Sequence, residues 1–82
     1  MIRVKVKFFA IARDIAGTDE TIMSIPDGST PSAVLESLAE SYPGLKKWMG
    51  HLRMAVNCEY TGGDAILNDR DEVAIIPPVS GG

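Results

Sequence analysis

Hydrophobic and polar residues alternate without a fault from Ile2 to Phe8, with Ile2, Val4, Val6 and Phe8 on one side and Arg3, Lys5 and Lys7 on the other. A period of two belongs to a half-buried strand, so this stretch predicts a first strand with one apolar face. The period is lost from Phe9 to Ala16 and stops at Gly17, a residue suited to ending a short helical turn in the left-handed conformation. The segment reads as a long hairpin connection. Glu20–Ile25 predicts a second strand with Met23 and Ile25 inward, closed by the turn residues Pro26, Asp27 and Gly28.

Thr30 followed by Pro31 is a helix start: the hydroxyl can accept an orphan N–H, and proline fits the first helical position. Pro31, Val34, Leu35, Leu38, Ala39 and Tyr42 then recur at helical spacing, with Ser32, Glu36, Ser37, Glu40 and Ser41 opposite. Pro43 and Gly44 end this helix, which spans Pro31–Ser41. Residues 45–49 read as a short turn, with Trp48 as a lid on the core. Residues 51–59 alternate again, Leu52, Met54, Val56 and Cys58 against Arg53, Ala55, Asn57 and Glu59, and predict a third strand. In that pattern Cys58 is a small buried hydrophobe and His51 a solvated loop residue. Residues 61–64 are turn chemistry, 65–67 a short strand, 68–71 a turn, and Glu72–Ile76 the final strand.

Strand, strand, helix, strand, strand is an α+β order: a sheet of four to five strands covered on one side by one main helix. The uncovered side should then be polar. Yet Ile75 and Ile76 are adjacent, as are Phe8 and Phe9, so apolar groups must point to both sides near these strand ends. Together, Phe9 and Ile76 define a candidate partner-binding patch.

At 82 residues the chain forms one domain over 1–76, followed by a tail over 77–82. Such a domain buries about 60 to 65% of its unfolded surface. The net charge of −3 argues against nucleic acid, and the alternation of Arg3, Lys5 and Lys7 is that of a polar strand face. Glu59, Asp64, Asp69, Asp71 and Glu72 crowd the C-terminal part, a solvated rim whose charges could also steer a basic partner. No stretch is long enough to span a membrane and no signal-peptide pattern is present, so a soluble, cytoplasmic protein is expected, with no membrane partner. One cysteine and one histidine leave no internal disulfide and no metal site from this chain alone. Asp71 and Glu72, the nearest candidates for acid–base work, are neighbours on a strand and so point to opposite faces.

The chain closes with Pro77, Pro78, Val79, Ser80, Gly81 and Gly82. The prolines restrict φ and lack N–H donors, so the segment starts out extended, and the two glycines end it as a thin strand with a free carboxylate. Six residues reach at most about 20 Å, enough to enter another protein's active site. Taken alone, the tail reads equally as a frayed end or as such a thread.

Phe8, Phe9 and Ala10 with Ala12, Arg13 and Gly17, then Tyr42–Pro43, Ala55–Val56–Asn57, Asp71–Glu72–Val73–Ala74 and the Pro-Pro-Val-Ser-Gly-Gly ending resemble the sulfur-carrying small subunits of molybdopterin synthase. The resemblance covers nearly the whole chain, its last twelve residues being the specific part. It implies a β-grasp, ubiquitin-like fold with the first and last strands parallel at the centre of a mixed sheet. It implies that Gly82 is adenylated by an activating enzyme using ATP and magnesium, converted to a thiocarboxylate, and delivered to the large synthase subunit, where sulfur passes to a cyclic pyranopterin phosphate. Gly81 would provide clearance, and Phe9, Ile76, Pro77, Pro78, Val79 and Ser80 would face the partner. No cofactor is expected on this chain itself. The alternatives are a sulfur carrier for thiamine synthesis and a ubiquitin-like modifier or interaction module. Cys58 and Arg70 depart from the family pattern, each standing at a turn position where glycine is usual, and a non-glycine residue at positive φ carries a cost in energy.

Overall fold

The computed structural model describes residues 1–62 and 64–78. The alternation at the N-terminus forms β1 (Ile2–Phe8) and buries Val4, Val6 and Phe8. Phe8 is followed by a sharp corner. Ala10 sits at φ 51°, ψ −127°, and the Ala12 N–H donates to the Phe9 carbonyl at 3.0 Å, the geometry of a type II′ turn with alanine where glycine is favoured. A single helical turn, α1 (Ile11–Ala16), then ends at Gly17, whose φ of 76° and N–H bond to the Arg13 carbonyl at 2.8 Å form a left-handed cap. β2 (Glu20–Ile25) returns antiparallel to β1, from Ile2 opposite Ile25 to Lys7 opposite Glu20. Phe9–Ala16 is therefore a hairpin connection, as its lost period predicts.

α2 (Pro31–Ser41) forms with the expected bounds. The Thr30 hydroxyl accepts the Ala33 N–H at 3.3 Å, and Pro31, Val34, Leu35, Leu38 and Ala39 are buried against the sheet. Tyr42 leaves the α region at ψ 81°, as the following proline requires. Its ring meets Phe8 edge-on, with centroids 5.8 Å apart, tying the helix end to β1. A 3₁₀ turn over Pro43–Trp48 drives Leu45 fully into the core. Leu67 is also buried, and its N–H donates to the Ser29 carbonyl at 2.9 Å.

β5 (Glu72–Ile76) inserts beside β1 in parallel, with Lys5 opposite Glu72 and Phe8 opposite Ile75. β3 (Arg53–Val56) runs antiparallel to β5, and β4 (Glu59–Tyr60) forms the far edge. The sheet order β2-β1-β5-β3-β4, with α2 on one side, is the β-grasp arrangement.

Two expectations are corrected. The strand over 51–59 is broken: residues 57 and 58 form a two-residue turn between β3 and β4, with φ values of 52° and 71°, a type I′ signature. Alternation continues through the turn by accident of composition, so periodicity alone overran it. Cys58 is accordingly exposed at the turn tip and is not a buried hydrophobe. The position of Cys58 as a turn residue, read from its departure from the family pattern, is the reading that stands. The short strand expected at 65–67 is not formed; that stretch is irregular, and the fifth strand is β4 instead. Arg70, the other departure, has φ 71°.

Two outcomes are expected in urea denaturation. Leu45→Ala should lower stability by about 2 to 5 kcal/mol, because it empties a fully buried site. Cys58→Gly should raise it by about 0.5 to 1 kcal/mol, since relief at a left-handed residue exceeds the added chain entropy of glycine. A loss of stability in the second variant would instead point to side-chain packing at residue 58.

Candidate functional site

The parallel register decides where the tail leaves the domain. β5 ends beside the end of β1, so Phe9 and Ile76, the positions after the paired Phe8 and Ile75, emerge together. The Phe9 N–H donates to the Ile75 carbonyl at 3.3 Å, holding the two chain segments side by side. Phe8 and Ile75 are buried beneath the helix, whereas Phe9 is 46% exposed and Ile76 is half-buried on the opposite side. The expected pairing of Phe9 with Ile76 near the tail is thus what the topology produces.

Pro77 is buried and Pro78 exposed. Together with Ala10, Ile11 and Trp48 they line a cleft of about 310 Å³. None of these five residues has a titratable side chain. The type II′ corner at Ala10 is what turns Ile11 toward this cleft, and the 3₁₀ turn supplies Trp48 from the other side. The Lys47 ammonium lies 5.9 Å from the Trp48 ring centroid, a cation–π contact. The indole Nε1 is buried and without a hydrogen-bond partner among the described residues. Trp48 is therefore a wall of the tail exit, a role that no local pattern announces; the neighbouring side chain packed against the core is that of Met49, where the sequence suggested Trp48 as the lid.

Val79, Ser80, Gly81 and Gly82, which the sequence assigns to the partner-facing and sulfur-bearing tail, lie outside the described residues. The described part of the site is its root: Phe9, Ala10, Ile11, Trp48, Ile76, Pro77 and Pro78.

Beyond Ile76 the open face of the sheet continues as a small apolar strip. Ala74 and Ala55 are paired, and Tyr60, 68% exposed, lies opposite Ala55 on β4. Tyr60 went unremarked in the sequence because β4 itself was not recognised; the Asn-Cys pair, read as a I′ turn, is the signal that would have revealed it.

The carboxylates at the entry to β5, the end of the strand away from the tail exit, are committed to structure. Asp71 accepts Asn57 Nδ2 at 3.0 Å and the Asn68 N–H at 2.8 Å, while Asn57 Oδ1 accepts the Glu72 N–H at 3.0 Å. Glu72 pairs with Lys7 at 2.9 Å. That hydrogen bond, and then the carboxylate's charge, raises the Lys7 ammonium above its ordinary 10.5. Because the folded value is the higher one, the pair's contribution is complete below the unfolded pKa and is lost as pH climbs through the folded one. The cleft at the tail root is therefore walled by apolar side chains, and the Asp71 and Glu72 carboxylates are engaged at the other end of β5.

Comparison with known proteins agrees with this geometry. The model of the ThiS family matches residues 6–82. A molybdopterin synthase sulfur carrier subunit of Arabidopsis thaliana is 41% identical over 81 residues, covering 99% of this chain and 84% of that protein. Among solved structures, small archaeal modifier protein 1 of Methanosarcina acetivorans superposes with a TM-score of 0.85 at 36% identity, covering 100% of this chain and 98% of that one. A complex of subunits 1 and 2 of the molybdopterin-converting factor of Helicobacter pylori contains a chain matching with a TM-score of 0.69 at 27% identity, over 99% of this chain and all of that one. With the family match running from the last residues of β1 through the terminal glycine and the β-grasp sheet formed as that relationship requires, this chain belongs to the ThiS family.

Proposed function

We propose that this chain is the sulfur-carrying small subunit of a molybdopterin synthase, with the carboxyl group of Gly82 as the sulfur-bearing site. The observation that carries the reading is the full-length identity to a molybdopterin synthase sulfur carrier subunit, running through a chain whose last strand launches Pro77 and Pro78 from the sheet centre. A terminal carboxylate is ionised at neutral pH and resists nucleophiles, so it must first be activated. One carboxylate oxygen of Gly82 attacks the α-phosphorus of magnesium-bound ATP on an activating enzyme, and pyrophosphate leaves. Sulfur supplied by the donor as hydrosulfide then attacks the acyl carbon, and AMP departs with the former carboxylate oxygen, leaving a thiocarboxylate and a released proton. The large subunit receives the tail, and sulfur passes to a cyclic pyranopterin phosphate. Gly81 gives the clearance a narrow channel needs. The complex of subunits 1 and 2 in the Helicobacter pylori relative supports a large-subunit partner, and Phe9 and Ile76 supply an apolar contact beside the tail root.

A second reading is favoured by one observation, the 36% identity to a small archaeal modifier protein. In that case Gly82 would be joined to lysines of target proteins. Intact mass after incubation with the activating enzyme, ATP and a sulfur donor decides between them. Replacement of one oxygen by sulfur at the terminus is expected; an unchanged mass alongside lysine conjugates would favour the modifier.

Two variants test the assignment. Deleting Gly82 should leave the thermal unfolding curve unchanged and abolish sulfur transfer; measurable synthase turnover by this variant would remove Gly82 from its role. Ile76→Lys should fold and weaken large-subunit binding by about tenfold, the scale of a central apolar contact. Unchanged affinity would show that the patch is not part of the interface.

A further inference from the structure

We infer that the end of the open sheet face farthest from the tail exit is a docking site for an acidic segment of a protein partner, with Arg3 and Arg70 receiving carboxylates, Lys5 alongside them, around an apolar contact at Ile22. The four side chains, with Val4 beneath them, line a concavity of about 310 Å³. Lys5 lies opposite Ile22 across β1 and β2, and Ile22 is 58% exposed. Arg3 and Phe9 are separated by six residues of extended chain, about 20 Å, so this site is distinct from the tail root.

Charge complementarity names the occupant. The chain carries eight basic and eleven acidic residues. The register places Arg3, Lys5, Lys7 and Arg53 on the open face, and Arg70 joins them at its edge, whereas among the described strand residues the acids that share it are Glu20 and Glu72, with Asp69 at the rim. The open face is thus positive on a protein that is negative elsewhere. Within it Lys7 is paired with Glu72 at 2.9 Å and Lys5 with Glu20 at 3.4 Å. Asp69 is shared: one oxygen accepts the Arg3 backbone N–H at 2.8 Å and the other lies 3.9 Å from Arg70 Nε. The Arg3 guanidinium has no carboxylate within ion-pair reach among the described residues, and the Arg70 side chain is 93% exposed. The Arg3 guanidinium is therefore the fork without a carboxylate partner among the described residues, and Arg70, 93% exposed and held by Asp69 only at 3.9 Å through Nε, keeps the rest of its fork for a second carboxylate.

The backbone makes the same point independently. Arg70 occupies φ 71°, where glycine would sit without strain, and its N–H donates to the Arg3 carbonyl at 2.7 Å. The turn is thereby clamped so that its side chain stands beside Arg3. Nothing in the fold requires a long cation at this strained position, and strain retained at one residue points to what that residue reaches. Extended nucleic acid suits the site poorly, because Glu20, Glu72 and Asp69 flank it and the remaining surface repels phosphate. A short segment with carboxylates on either side of one apolar side chain matches both the forks and Ile22.

The test is an NMR titration of the full-length, ¹⁵N-labelled protein with the synthetic peptide Glu-Glu-Leu-Glu-Glu at low salt. Saturable shifts confined to the amides around Arg3, Lys5, Ile22 and Arg70 are expected, lost by about 0.5 M NaCl. The double variant Arg3→Glu, Arg70→Glu should bind about tenfold more weakly, beyond what one exposed pair supplies. Arg70→Gly should melt at a higher temperature yet bind about threefold more weakly, separating the guanidinium from the fold. The inference is overturned by shifts that centre elsewhere, by unchanged affinity in both variants, by a single-stranded oligonucleotide binding the same amides more tightly, or by those amides moving on dilution of the protein alone, which would make a second copy the occupant.

Discussion

The parallel pairing of β1 with β5 is the constraint on which the rest of the molecule depends. Parallel neighbours cannot be joined by a tight turn, so the chain between them must leave the sheet and come back. Here that excursion carries the β1–β2 hairpin, α2, the 3₁₀ turn and the β3–β4 hairpin, and α2 covers the one sheet face that is strongly apolar. Val6 with Val73 and Phe8 with Ile75 meet as buried register partners, so the first and last strands share one core. Where the tail starts is a direct result. The end of β5 lies beside the end of β1, and the tail departs next to Phe9.

Holding the last strand in the sheet centre requires that its entry be fixed as firmly as its exit. The entry is tied by the Asp71 carboxylate, which accepts from the Asn68 N–H and from Asn57 Nδ2, by Asn57 Oδ1, which accepts the Glu72 N–H, and by the Lys5 N–H, which donates to the Asp71 carbonyl at 2.9 Å. Non-glycine residues at positive φ occur among the described residues at Ala10, Asn57, Cys58 and Arg70, all at corners that border β1, β3 or β5. Each bends the chain where a strand begins or ends. Their strain is tolerated because neighbouring hydrogen bonds over-determine the geometry, as the Phe9–Ala12 and Arg3–Arg70 backbone bonds do.

The open sheet face then has two chemically different ends. Phe9, Ile76 and Tyr60 are apolar and lie on the side of the tail root, whereas Arg3, Lys5 and Arg70 are cationic and lie at the start of β1. Apolar contact supplies affinity where water is expelled, and charge supplies orientation and encounter rate. A partner engaging both ends would be oriented along the strands, with its apolar end beside the tail root.

Much of this was legible in the sequence, and the limits are physical. Alternation located Ile2–Phe8 and Glu20–Ile25, helical spacing with Thr30 and Pro31 gave Pro31–Ser41 to the residue, and the adjacent pairs Phe8–Phe9 and Ile75–Ile76 showed that both sheet faces carry apolar groups. These signals are local, because a strand or helix repeats its own burial pattern. The hairpin at Asn57 and Cys58 was hidden, since side-chain alternation takes no account of φ. Leu45 in the core, Trp48 beside Pro77 and Pro78, and Arg70 beside Arg3 could not be read at all, because each depends on segments distant in sequence. The sequence by itself determined β1, β2, α2 and β5, whose burial patterns are local; only the tertiary structure, by pairing the first strand with the last, decided what surrounds the tail root and which charges share a face.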